Sequence, residues 1–400
     1  MLRRRVRAYV SHRGEYLGTL DIGQVDSPWW SEAQSVNAAV DAKLGTEVAI
    51  CRLLTVVPDG DHGPRGGEVA YHVEVLGAPT RQHLNESPVD DWAAIIAPHP
   101  LRSAWATPDG VRDLLDWATA AADRPLRGKS WQWKTWNLSC LFTLNTVDGL
   151  RWAKAAPAFG NSEADVIEVV RRYDPALVPT VLAADRATKR TLLANAPGEG
   201  CWKASTKTAC EVIQRWVAVQ AAIGEPDLVD LPAVDPVIST RGLLAGEAGG
   251  QLTQTELAAA YELLDQLPKL LAEQASAELP PTLVHGDFHP GNWHSDGTTH
   301  TIIDWADSFA GNPATDVLRL TDWLPEEQRE AVLTAWVDAW RTHRPQSFPE
   351  RALAPTRVIG HLLAADTYQR FLDGIEPAER VYHEGDPAGE LRAATTALSG

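Results

Sequence analysis

The chain has 400 residues, 44% apolar and 22% charged, which is enough for two or three packed cores and excludes a disordered or collagen-like chain. Its 36 Lys and Arg stand against 53 Asp and Glu, a net charge of −17 that argues against a general nucleic-acid binder. The excess is uneven: residues 281–400 hold 9 Arg, no Lys and 18 acids.

Taken in chain order, residues 1–80 alternate strand and helix signals. An extended Val6–Leu20 region is broken at His12-Arg13-Gly14, a helix is predicted near Ser31–Leu44, and strands at Glu47–Val57 and Glu68–Leu76. Helical segments follow at Asp90–Ile96 and Pro108–Ala122, and Asp123–Gly128 reads as a linker. From Asn137 to Asn145 the side chains Leu138, Cys140, Phe142 and Leu144 alternate with polar ones, a half-buried strand. Asp148-Gly149 supplies a tight turn into a partner strand, Leu150–Lys154, which places Lys154 on a face with Leu150 and Trp152.

A helix is predicted over Ser162–Tyr173, then a hairpin of Val178–Ala184 and Arg190–Ala196 turning at Asp185–Lys189. Beyond Pro197-Gly198 the pattern is helical. Ser205–Ile223 and Leu252–Gln274 are amphipathic, the second opening on a Thr253/Glu256 capping box and expected to kink or divide at Pro268. Gly242–Gly250 between them reads as a loop without the Lys-Ser/Thr of a P-loop. The four cysteines form no CxxC pair, so we expect reduced, buried thiols and no disulfide or zinc framework. No apolar run is long enough to span a bilayer, and the expectation is a cytoplasmic protein with no membrane partner.

The chemistry concentrates in residues 283–307, Leu-Val-His285-Gly-Asp287-Phe-His289-Pro-Gly-Asn292 followed by Thr301-Ile-Ile-Asp304-Trp305-Ala-Asp307. Phosphoryl transfer needs a carboxylate to orient an attacking hydroxyl and oxygen ligands for magnesium to neutralise phosphate charge. Asp287, Asn292 and Asp304 have the residue types for those tasks, and the Asp-x4-Asn spacing lets one loop turn present two of them.

These residues resemble the aminoglycoside phosphotransferase family, the small-molecule branch of the protein-kinase-like superfamily. The HGDxxxxN loop is matched by His285-Gly286-Asp287…Asn292 and the IDxxD strand by Ile303-Asp304…Asp307, and the resemblance covers roughly residues 128 to 400. It implies an α+β, bilobal protein-kinase-like fold with a β-rich N-lobe over 128–200 and a helical C-lobe over 201–400. Residues 1–127 would precede it as a small α/β accessory domain with linker helices. By the resemblance Asp287 is the catalytic base, Asn292 and Asp304 bind Mg2+, and His285, Asp316 and Arg319 support the loop. Lys154 would hold the phosphates of ATP or GTP, positioned by Glu163 or, failing that, Glu168. Asn195 and Ala196 would lie at the hinge that meets the base. The hairpin turn Asn145–Gly149 departs from the GxGxxG of protein kinases.

The implied reaction moves the γ-phosphate to a hydroxyl of a small molecule. The acidic C-terminal third suggests an amine-bearing acceptor (aminoglycoside, amino sugar or amino alcohol), with Asp307, Asp366, Asp373 and Glu384 as candidate contacts. Two other readings use the same stretch. A non-catalytic relative would bind nucleotide without turnover. A metal-dependent hydrolase would use the H-x-D-x-H run of His285, Asp287 and His289, with His294 and His300 nearby, as zinc ligands. Serine-hydrolase chemistry lacks a G-x-S-x-G.

Overall fold

The computed structural model describes residues 3–60, 62–79, 82–85, 91–224 and 227–399. In chain order its first elements are β1 (Arg4–His12), β2 (Glu15–Val25), α1 (Gln34–Leu44), β3 (Val48–Val57), β4 (Gly67–Val75), α2 (Trp92–Ile96) and α3 (Pro108–Ala122). Then come β5 (Trp131–Trp136), β6 (Ser139–Thr146), β7 (Gly149–Ala155), α4 (Glu163–Arg171), β8 (Val181–Asp185), β9 (Arg190–Ala194) and β10 (Glu199–Gly200). The remainder is α5 (Thr206–Ala222), α6 (Pro236–Ala245), α7 (Glu247–Gly250), α8 (Gln254–Ala275), β11 (Thr282–Val284), β12 (Trp293–Ser295), β13 (His300–Ile302) and β14 (Phe309–Gly311). It closes with α9 (Ala314–Trp323), α10 (Glu326–His343), α11 (Glu350–Gly374) and α12 (Asp386–Ser399). Asp90, where the sequence starts a helix, lies outside the described residues; the helix at Trp92 is capped instead by Asp91, which accepts from the Ala94 N–H.

The chain forms two compact units, one of residues 1–160, 181–195 and 371–384, the other of 161–180, 196–370 and 385–400. The first unit holds two sheets. In the first, ordered β2-β1-β4-β3, β1 runs parallel to β4 while the outer pairs are antiparallel. Val6, Ala8 and Val10 alternate into a core with Val36 and Val40 of α1 and Tyr71 and Val73 of β4. The second sheet is antiparallel, β5-β6-β7-β9-β8. Cys140, Phe142 and Leu144 bury one face against Val111, Leu114 and Ala118 of α3, and that cluster also contains Ala49 and Cys51 of β3. Strand β3 is therefore buried on both faces and serves two cores.

Strand β5 was not expected from the sequence, which reads Trp131-Gln-Trp-Lys-Thr-Trp136. Its burial inverts its hydrophobicity, with Trp133 exposed and Gln132 buried. Gln132 acts like a piece of backbone at the edge of β3: its Oε1 accepts from Ile50 N (2.8 Å) and Asn37 Nδ2 (2.9 Å), and its Nε2 donates to Ile50 O (2.8 Å). The segment Phe371–Glu384 completes this unit. Tyr382 enters the first core, edge-on to Trp30 and Trp136, and Glu376 accepts from Arg102 and pairs with Arg52.

The second unit is mostly helical, with two small sheets, β10-β12-β13 and β11-β14. Two expectations are corrected in it. Gly242–Gly250 is helical, not a loop, because Asp235 caps α6 at Val237 N and Ile238 N, Pro236 starts it, and Leu243 and Leu244 bury against α8 and α12 residues. Helix α8 runs through Pro268 without the division that was one of the two outcomes expected there, held on both sides of it by buried Leu263, Leu264 and Leu267 and partly buried Leu270 and Leu271. Its capping box is formed by Thr253 and Glu256. The hairpin strand begins at Val181, later than Val178, because residues 161–180 belong to the second unit, where Leu177 O accepts from Ile302 N.

No helix among the described residues is long and apolar enough to cross a membrane.

Candidate active site

Strand β11 delivers its chain into the loop 285–292, which is fixed by His285 and Asp316. The fully buried His285 hydrogen bonds through Nε2 to Ile303 O (3.0 Å), while its Nδ1 accepts from Asp287 N (3.3 Å). A carbonyl can only accept, so the proton sits on Nε2 and the ring is the neutral tautomer. Burial pushes its pKa down to about 4, in keeping with that state. Asp316, also fully buried, accepts from His285 N (3.0 Å), Gly286 N (3.2 Å), Trp216 Nε1 (2.8 Å) and Gln220 Nε2 (3.2 Å). Burial pushes its pKa up to about 6 even though all four donors favour the ionised form. Gly286 has φ +88°, and a Cβ there would lie 2.4 Å from Asp307 O, so only glycine fits between the loop and the turn after Asp304.

Asp287 itself is half-buried and held at both oxygens. Oδ1 accepts from Arg319 Nη2 (2.9 Å) and Nε (3.2 Å), and Oδ2 from His289 Nε2 and Asn292 Nδ2, both at 3.2 Å. The tautomer of His289 follows from its other nitrogen, which accepts from Gly291 N (3.0 Å) and leaves the proton on Nε2. Burial would raise the Asp287 pKa, but His289 and Arg319 overcome it and hold the carboxyl well below the usual range. Asp287 is thus an ionised, oriented acceptor.

The Asn292 amide also donates to Asp287 O (2.9 Å), so its nitrogen is committed to Asp287 and its carbonyl oxygen faces away from that residue. Asp304 follows β13 by two residues and adopts a left-handed conformation, φ +67° and ψ +61°, uncommon for a side chain other than Asn, Asp or Gly. The two loops are tied by Ile303 N donating to Asn292 O (2.9 Å). An amide oxygen and a carboxylate are hard donors that fit magnesium. Glu163, at the start of α4, is buried and accepts from Trp305 N (3.0 Å), next to Asp304; Glu168, its fallback, is exposed.

Lys154 and Asn195 lie in the first unit. Lys154 is buried on the face of β7 opposite the core residues Ala153 and Ala155. Asn195 Oδ1 accepts from Trp152 Nε1 (2.8 Å), and the chain passes from the first unit to the second between Asn195 and Ala196. Of the four acceptor candidates, Asp307 ends the turn after Asp304, while Asp366 on α11 is engaged by Arg370 of the same helix and by Ser239 of α6. Asp373 and Glu384 are exposed and belong to the first unit.

The imidazoles of the H-x-D-x-H run do not converge for zinc. His285 and His289 each spend both ring nitrogens in the contacts above, and His300 bonds Ser295 and Glu211. Among the described residues no group of three or more His, Cys, Asp or Glu side chains is placed to hold a metal.

Three features escaped the sequence reading. Arg319 pairs directly with Asp287, beyond supporting the loop; His289 bonds the same carboxylate; and two exposed indoles, Trp202 and Trp323, pack on His289. His289 could have been found from its place inside the 285–292 motif. Nothing local marks Trp202, which reaches the loop only through the fold.

The phosphotransferase enzyme family (APH) matches residues 151–352. Among solved structures, a choline kinase from Streptococcus pneumoniae superposes with a TM-score of 0.53 at 11% identity, covering 72% of this chain and 99% of that one. An ethanolamine kinase from Plasmodium vivax gives 0.50 at 11% identity, covering 68% and 82%. At these identities the likeness speaks for a kinase-like fold. No curated protein matches the sequence.

Proposed function

The chain belongs to the phosphotransferase enzyme family and is a small-molecule kinase with a hydroxyl acceptor, and on that premise we propose that Asp287 is the residue that orients and deprotonates that hydroxyl. The observation carrying this is that both Asp287 oxygens are held, one by Arg319 of α9 and the other by His289 and Asn292 of its own loop, which Ile303 N ties to the segment of Asp304. The hydroxyl proton passes to Asp287 as the hydroxyl oxygen bonds to the γ-phosphorus and the nucleoside diphosphate leaves. A carboxylate held this far below its usual pKa is a weak base. That suits a loose transition state, in which the proton moves late and positioning dominates.

Members of this family use a nucleotide and a divalent metal. Mg2+, when bound, supplies charge neutralisation at the phosphates, and Asn292 and Asp304 are the residues that would hold it. Lys154 holds the phosphates of ATP or GTP, with Asn195 and Ala196 at the base. Glu163 acts on the Asp304 loop through Trp305 as well as in the lysine-positioning task that the resemblance gives it. Residues 128–200 form the nucleotide lobe, 201–400 the helical lobe, and 1–127 an accessory part. The acceptor is amine-bearing, a proposal that rests on the acidic balance of residues 281–400.

The test is a turnover screen with magnesium and ATP or GTP across aminoglycosides, amino sugars, neutral sugars and amino alcohols, run beside Asp287→Asn. Transfer lost in the variant with nucleotide affinity kept is the expected result. Transfer retained in the variant, or nucleotide bound with no turnover in the wild type, removes the catalytic assignment.

A further inference from the structure

We propose that His289 is the positioning residue of Asp287, its Nε2–H fixing the carboxylate in the orientation that meets the acceptor's hydroxyl, an inference that rests on the phosphotransferase reading above. Both Arg319 bonds to Asp287, from Nη2 at 2.9 Å and Nε at 3.2 Å, converge on Oδ1. A grip on one oxygen is a pivot about which the carboxylate can swing, whereas a fork on two oxygens fixes its plane. The orientation is therefore set at Oδ2, which has two donors, His289 Nε2 and Asn292 Nδ2, both at 3.2 Å. The Asn292 nitrogen is divided, because it also donates to Asp287 O at the shorter distance of 2.9 Å. Among the described residues, His289 Nε2 bonds only to Oδ2.

The imidazole is itself held so that Nε2 donates. Its Nδ1 accepts from Gly291 N (3.0 Å) and so caps the short helical turn Pro290–Asn292, which leaves the ring proton on Nε2. Gly291 is what lets the ring take this place: a Cβ there would lie 2.7 Å from His289 Cε1 and would also strike the Trp202 indole. Trp202 and Trp323 pack against the imidazole, with ring centroids 5.2 Å and 4.9 Å from its own, and the His289 side chain is 9% exposed. A donor so covered meets little competing water, and its bond to an anion is the stronger for that.

His289 thus has two duties on two nitrogens, and two substitutions separate them. Asn puts an oxygen where Nδ1 stands, so it keeps the cap on Gly291 N and has no atom that reaches Oδ2. Gln puts an amide nitrogen near the place of Nε2, so it keeps the donor and gives up the cap. A histidine that only shapes the loop would tolerate Asn, a strong capping residue, better than Gln. A histidine that positions Asp287 reverses that order.

The experiment uses the full-length protein with magnesium and ATP or GTP, and an acceptor panel represented by kanamycin, glucosamine, glucose and choline, continuing with the acceptor of highest kcat/KM. We expect His289→Asn to lower kcat about 10- to 100-fold, as for loss of a hydrogen bond to a charged group, with nucleotide KM within about twofold and an unchanged melting curve. His289→Gln should recover most of that kcat even where it melts earlier. Because His289 acts through Asp287, adding His289→Asn to Asp287→Ala should cost nothing further. The positioning role is overturned by wild-type kcat in His289→Asn, by a rise in nucleotide KM that accounts for the loss, or by the same fold-loss in the Asp287→Ala background. Each of these outcomes leaves the phosphotransferase reading standing. Absence of transfer from the wild type to every member of the panel overturns that reading, and the role of His289 with it.

Discussion

Each compact unit holds a carboxylate gripped by arginine and, a short way along the chain or through the loop, a second carboxylate with a raised pKa. In the first unit Glu376 accepts from Arg102 through Nε and Nη2 and pairs with Arg52, and burial pushes Glu379 up to about 8. In the second, Asp287 pairs with Arg319, and burial pushes Asp316 up to about 6. The difference is exposure. The Glu376 side chain is 5% exposed and its arginines 6% and 7%, while the Asp287 side chain is 33% exposed and Arg319 34%. A sealed pair can only hold chain segments together, here residues 95–102 and 371–384, whose carbonyls Ile95 O and Ala97 O also accept from the same arginines. A pair with one open edge can receive a substrate.

The largest test of the sealed region is to remove it. Deleting residues 1–125 takes away β3 and α3, and uncovers the faces of Cys140, Phe142, Leu144, Ala153 and Leu192. We expect no soluble folded product, read by expression and size-exclusion chromatography. A soluble, nucleotide-binding fragment would show the second sheet to be self-sufficient and would weaken the contrast between the regions.

The open region is tested by Asp287→Asn. The expected loss is on the order of 10²- to 10⁴-fold in kcat, the range for a positioned general base. Thermal stability should change by no more than about 1 kcal/mol, because a partly exposed pair is screened by solvent. A large stability loss with a small kcat loss would make Asp287 a structural group like Glu376.

Glu376→Ala should do the reverse. It leaves Arg52 and Arg102 buried with their anion gone, a loss of about 3–5 kcal/mol in unfolding free energy measured by urea titration, with kcat per folded molecule unchanged.

The open region was the more legible of the two in the sequence. His285 to Asn292 and Ile303-Asp304 lie within short contiguous stretches, so residue type and spacing are enough to nominate them. Alternation likewise found Cys140, Phe142 and Leu144, since one face of β6 is core and nothing competes with hydrophobicity there. The sealed region was hidden for two physical reasons. Glu376 meets Arg102 across 274 positions of chain, so no local signal joins them. Gln132 is buried because Ile50 needs hydrogen-bond partners, which leaves Trp133 outside and reverses the pattern that identifies a strand. In the second unit, Gly242–Gly250 was hidden as well: it becomes helical through burial of Leu243 and Leu244 and through Asp235 capping, which outweigh the weak helix propensity of its glycines. Trp202 belongs with these, although it lies in the open region, because its partner Gly291 is brought to it only by folding.

The smallest expected effect isolates Glu379 from its neighbour. Burial disfavours the charged carboxylate, the Glu376 charge adds to this, and Arg52 and Arg102 offset only part. The folded state therefore keeps its proton up to about pH 8, whereas the unfolded chain releases it near its ordinary value of 4.5. Between those two values the folded state binds more protons than the unfolded one, so this group's contribution to stability is fully present below about pH 4.5, falls as pH rises, and levels off above about pH 8. Glu379→Gln keeps the shape and removes the proton, so its melting temperature should fall less than that of the wild type between pH 5.5 and 8.5, by a few degrees for a domain of this size. Two parallel curves would mean that Glu379 is ionised in the folded state and held by Arg52 and Arg102. The sealed region would then carry two paired carboxylates, and its contrast with Asp287 would rest on exposure alone.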